Sequence, residues 1–96
     1  MHKEEPIGKI IHYYPKAHAA IVRVERGAFH IGDTLHIVGH GDDIHFLVES
    51  IEKDHRPIPE AQKGQLVGVK LPLRAHEKAE VRLVITEDHE IATTWA

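Results

Sequence analysis

His18-Ala19-Ala20-Ile21-Val22-Arg23-Val24-Glu25-Arg26-Gly27 is the stretch on which the reading of the fold turns. Ala20, Val22 and Val24 alternate with Ile21, Arg23 and Glu25, the period of two that gives a half-buried strand one apolar face. Gly27 ends the run. On its N-terminal side, Ile7 to Tyr14 reads as a first strand stopped at Tyr14-Pro15-Lys16, because proline supplies no ladder donor and favours a turn. On its C-terminal side, Phe29 to Thr34 reads as a turn, with Gly32 suited to a positive φ. Beyond it a third strand places Leu35, Ile37 and Gly39 on one face and His36, Val38 and His40 on the other.

The pattern continues to the C-terminus. Ile44 to Lys53 reads as a fourth strand with Ile44, Phe46 and Val48 inward, and the three-residue step from Val48 to Ile51 predicts a β-bulge at Glu49-Ser50. His55 to Gln62 carries Pro57 and Pro59 and reads as a loop with one helical turn. Gln65 to Leu71 forms a fifth strand with Val67, Val69 and Leu71 inward. Glu80 to Thr86 forms a sixth, with Val81, Leu83 and Ile85 inward. Six short strands with no helical periodicity predict an all-β fold, a small closed Greek-key-like antiparallel barrel that leaves no edge unpaired. The barrel spans about residues 7–86 of a single domain, with 87–96 as a tail whose Trp95 is expected to pack back onto it.

Composition narrows the function. A chain of 96 residues with 42% hydrophobic and 28% charged residues suits one globular domain rather than a disordered or fibrous chain. No apolar run approaches the roughly 18–20 residues of a membrane span, and Met1 to Pro6 lacks the basic and apolar regions of a signal peptide, so a cytoplasmic protein with no membrane partner is expected. The absence of cysteine excludes disulfides, thiolate metal sites and thiol nucleophiles together. Lys+Arg 12 against Asp+Glu 15 gives a net charge of −3, which argues against indiscriminate nucleic-acid binding. Ten histidines would reverse that sign on mild acidification.

Catalytic signatures are missing. There is no Gly-x-x-x-x-Gly-Lys-[Ser/Thr] loop to cradle nucleotide phosphates and no Gly-x-Ser-x-Gly elbow. Asp42-Asp43 and Glu87-Asp88 fall at turns, where carboxylates cap backbone groups. The expected protein is therefore not an enzyme and holds no cofactor. His36 and His40 share a strand face with His45 beyond the next turn, but positions four apart on a strand stand roughly 13 Å apart, too far for one ion. Solvation is the favoured role for these rings, and no metal ligand is assigned.

Arg23-Val24-Glu25-Arg26-Gly27, Ile31-Gly32-Asp33, Leu35-His36-Ile37-Val38-Gly39, Val48-Glu49-Ser50-Ile51-Glu52 and Ala61-x-x-Gly64-x-x-Val67-Gly68-Val69 follow one another in an order that resembles the second β-barrel domain of elongation factor Tu. The resemblance covers about residues 7–86 and implies a freestanding, non-catalytic binding module for RNA, such as a tRNA end or the ribosome, or for a translation-related protein. Carried over residue by residue, it places Tyr13, Ala19 and Leu71, or its neighbour Val69, in the apolar wall of a pocket for the terminal adenosine, with Glu52 packing against the base; if RNA is the partner, Arg23 or Lys16 holds phosphate. Read without it, Arg23 pairs with Glu25, Glu52 sits on a solvated edge and Tyr13 fills the barrel mouth. The chain departs from that family at Gly8-Lys9, Pro15-Lys16-Ala17-His18 and Lys78-Ala79. A second, weaker resemblance, to the C-terminal barrel of collagenase-like peptidases, implies a protein-docking accessory domain instead. A histidine-rich metal-binding protein is the third reading.

Overall fold

The computed structural model describes residues 2–86, and every regular element among them is a strand. In chain order these are β1 (His2–Tyr14), β2 (Ala19–Val24), β3 (Ala28–His30), β4 (Thr34–Gly39), β5 (Asp42–Leu47), β6 (Ile51–Lys53), β7 (Arg56–Pro57), β8 (Glu60–Gln62), β9 (Leu66–Lys70) and β10 (Glu80–Thr86). All pairings are antiparallel. The expected all-β antiparallel class is the observed one. The expected tail, 87–96 with Trp95, lies outside the described residues.

The long first strand organises the rest. Its N-terminal half pairs with β10, from His2↔Thr86 to Lys9↔Glu80, and its C-terminal half pairs with β2, from Gly8↔Val24 to Tyr14↔Ala19. Register shifts between Pro6 and Gly8 and between Ile10 and His12 let one strand serve both partners, since an extra residue bends and twists the strand that carries it. The resulting order is β5-β4-β10-β1-β2-β9-β6-β7, with β3 and β8 forming a separate pair.

This order corrects the finer expectation of closure. The ladder is open, ending at β5 on one side and β7 on the other. Both halves still wrap around one core, in which Ile44 and Phe46 of β5 join Ile7, Ile10, Val22, Leu35, Val67 and Val81. Side-chain burial brings the halves together where hydrogen bonding does not. The edges are guarded by polarity and by proline: Asp42, Asp43 and His45 lie on β5, and Pro57, without an N–H, lies on β7.

Two local expectations also change. The single strand of 44–53 is instead β5 and β6, separated by 48–50 and lying toward opposite ends of the ladder. Val48, buried, holds the crossing through its N–H to the Asp33 carbonyl (2.8 Å) and its carbonyl to the Gly32 N–H (2.8 Å). The loop with a helical turn is β7 and β8, with no helix. Pro57 and Pro59 deny a helix its interior N–H donors, while Ala61 pairs with Phe29, both wholly buried, to close one end of the core.

The β4–β5 hairpin positions the chemistry described below. Its two central residues, His40 at φ 56° and Gly41 at φ 91°, both have positive φ, as a two-residue type I′ connection requires. That turn sets the register in which His36 stands directly opposite His45.

Candidate functional site

Cross-strand rows sort the six residues assigned to the adenosine pocket. Tyr13, Ala20, Val69 and Ile51 form one row, and Tyr13 packs against the core from it. The next row, His12, Ile21, Gly68 and Glu52, points the other way because successive strand residues alternate faces. Glu52 is therefore exposed on the outer face while Tyr13 faces inward. Leu71 is buried, and its N–H donates to the His18 carbonyl (2.8 Å). Ala19 and Arg23 lie in outer rows, and Lys16 is exposed in the turn before β2. The structure does not bring the six together around one cavity.

Three of them do share a surface. On the outer face of β1, β2 and β9, Ala19 and Arg23 sit with Ile21 between them on β2, and Glu52 lies beyond Gly68. Tyr14 and Leu66 flank this face, 50% and 53% exposed. Tyr14, Ile21 and Leu66 form an apolar diagonal strip over small Ala19 and Gly68, with Lys70, Lys9 and Arg23 in the same rows. Arg23 lies 3.8 Å from Glu25 at the border, a weak surface pair.

The strongest polar cluster lies on the other half of the sheet, among β1, β10, β4 and β5. His36 is 9% exposed and donates through Nδ1 to Glu4 Oε1 (2.8 Å) and through Nε2 to Asp43 Oδ1 (2.6 Å). Ionised carboxylates only accept, so two such partners hold the ring as imidazolium. Burial works against that charge, but the hydrogen bonds to Glu4 and Asp43 outweigh it and raise the His36 pKa. The Glu4 carboxyl is lowered, chiefly by the His36 hydrogen bond and further by Arg82. Arg82 reaches Glu4 Oε1 (3.4 Å) and is gripped through Nε by Glu80, which raises its pKa.

His45 completes the cluster. Its ring stacks on His36 with centroids 3.8 Å apart, and its Nε2 lies 3.7 Å from Glu4 Oε2. One ligand atom each from Glu4, His36 and His45 fall within 4.8 Å of one another, so among the described residues these three are placed to share a metal ion. Spacing along one strand set His36 and His40 too far apart for one ion and assigned no ligand, because it did not see the cross-strand pairing of His36 with His45. His40 caps the hairpin and lines a different cleft, of about 450 Å³, with His12, Tyr13, Arg74 and His76. There His76 is tied to buried Asp42, through its backbone N–H (2.6 Å) and its Nδ1 (2.7 Å), and His12 to Glu77 (3.0 Å). A hairpin turn legible at Gly39-His40-Gly41 could have revealed the His36–His45 pairing; nothing local could have revealed Glu4.

These features define an antiparallel all-β domain with an apolar outer strip and a histidine–carboxylate cluster. No family model matches the chain. Among solved structures it is similar to the C-terminal domain of a Geobacillus thermoleovorans protein assigned to the U32 peptidases, with a TM-score of 0.76 and 21% identity, covering 82% of this chain and 91% of that one. The selenomethionine variant of the same domain gives 0.72 and 20%, covering 85% and 99%. At such identity the likeness establishes the fold.

The comparison corrects the resemblance to the second domain of elongation factor Tu, and with it the reading as a translation-factor-like RNA-binding barrel. Both of these structures are the C-terminal domain of a protein assigned to the U32 peptidases. The motifs behind the earlier reading, such as Arg26-Gly27 and Ile31-Gly32-Asp33, encode strand ends and turns, and different small β-domains need the same turn chemistry.

Proposed function

We propose that this chain is a non-catalytic accessory domain that docks onto a larger protein. The observation that carries this reading is the fold itself, shared over most of both chains with a domain that forms the C-terminal part of a peptidase. The outer face supplies a surface for it: Tyr14 and Leu66 are exposed and Ile21 lies half-buried on the diagonal between them, and apolar groups at a surface release water when a partner covers them. Arg23 and Glu52 stand beside that strip as polar partners that fix orientation.

A photo-crosslinking residue placed at position 66, in the chain expressed in its own cells, tests this reading. One dominant adduct with a protein that carries a catalytic domain, lost when Tyr14 is changed to Asp, is the expected result. No adduct, or a set of adducts that Tyr14→Asp leaves unchanged, overturns it.

A further inference from the structure

We propose that Glu4, His36 and His45 bind a divalent transition-metal ion of the zinc type. The three come from three strands, β1, β4 and β5, and meet on one sheet face through pairings that the ladder fixes rather than through flexible loops. Two imidazoles and one carboxylate are the donor set that suits zinc, cobalt or nickel, and three protein ligands leave a further position for water or a group from outside.

The surroundings of His36 carry the argument further. Metal-bound histidines give the ring nitrogen that does not bind the metal to a carboxylate, which fixes the tautomer and aims the lone pair. Asp43 does this here: its Oδ1 lies 2.6 Å from His36 Nε2, so Nδ1 is the nitrogen turned to Glu4. The ion takes the place of the proton between His36 Nδ1 and Glu4 Oε1. Those atoms are 2.8 Å apart, and a slight widening admits an ion at roughly 2.0–2.2 Å from each. The stacked ring of His45 must rotate to present Nε2, and its side chain, 55% exposed, has room to do so.

Charge also favours a dication. With His36 protonated, the cluster sets His36 and Arg82 against Glu4, Asp43 and Glu80, an excess of one negative charge. With both imidazoles neutral and a dication bound, the same groups balance. Arg82 leaves room for the ion, because Glu80 holds its Nε and its Nη1 makes only a long contact, 3.4 Å, with Glu4 Oε1.

The test uses the full chain, expressed without a histidine tag and stripped with chelator, titrated with Zn2+ in a calorimeter and with Co2+ in an absorption spectrometer. One equivalent of Zn2+ is expected, with visible cobalt bands of a low-coordinate site. His36→Gln and His45→Gln should each weaken binding by at least about tenfold, and Asp43→Asn by roughly 10–100-fold as a positioning residue. His76→Gln should leave affinity unchanged. His45 is exposed, so its variant stays folded even if one at Glu4 does not. Failure to bind one equivalent, or a His45→Gln protein that binds as tightly as the parent, overturns the proposal.

Discussion

Gly8 lies so close to the backbone of Arg23 that a Cβ added to it would stand 2.0 Å from the Arg23 carbonyl oxygen. This is the point at which β1 passes from its pairing with β10 to its pairing with β2, and both ladders include Gly8. Gly8→Ala should therefore force β1 and β2 apart, because the obstructing atom is backbone. A loss of about 2 kcal/mol or more in urea unfolding is expected, as for other strained or overpacked sites. An alanine variant as stable as the parent would show that the strands separate freely here.

His36 and Glu4 stabilise the metal-free fold in a defined pH window. The raised His36 pKa adds stability that is fully present below the usual histidine value of 6.5 and is lost as pH rises through the folded value above it. The lowered Glu4 pKa adds stability that is present above the usual 4.5 and is lost as pH falls through the folded value below it. The combined contribution is thus greatest between these limits. In chelator-treated protein, the stability difference between parent and His36→Gln should be larger at about pH 5.5 than at about pH 8.5. Equal differences would separate the ring from the stability of the sheet.

Asp42 binds the segment before β10 to the β4–β5 hairpin by accepting from the His76 backbone N–H and side chain. Asp42→Ala leaves that N–H without its acceptor and should cost about 1–3 kcal/mol. Amide hydrogen exchange at His76 should accelerate more than exchange in β2, which lies away from the contact.

Phe29 is wholly buried opposite Ala61, and it is the largest fully buried side chain in the core. Phe29→Ala should cost about 3–5 kcal/mol, enough to leave a domain of this size barely folded, whereas Phe29→Leu should keep most of the stability. Thermal melts of the two variants check this.

Leu66→Asp, at the proposed docking strip, should change stability by no more than about 0.5 kcal/mol, because the side chain is 53% exposed. A larger loss in a melt would mean that Leu66 serves the fold and not a partner.

Much of the fold was legible. The inward faces of Ala20, Val22 and Val24, of Leu35 and Ile37, and of Val67 and Val69 are buried as their alternation predicts. The break at 48–50 was read as a bulge because a bulge and a crossing to another part of the sheet shift the alternation alike. Phe29 reads as the start of a turn but lies in β3, because a three-residue strand is too short to show a period. The proposed pocket scattered for a related reason: Tyr13 and Glu52 lie in adjacent rows, and a shift of one residue in register changes the face on which a side chain emerges.

By itself, then, the sequence determined the class: strands where polarity alternates, turns at Gly39-His40-Gly41 and Tyr14-Pro15, and no cysteine or phosphate-binding loop. These are local properties, decided within a few residues by sterics and by the separation of apolar from polar faces. Only the tertiary structure decided that the ladder stays open, that Gly8 must have no side chain, and that Glu4 meets His36 across 32 residues of chain. Those depend on which strands become neighbours. That choice is made by burial of the whole core, and no local pattern encodes it.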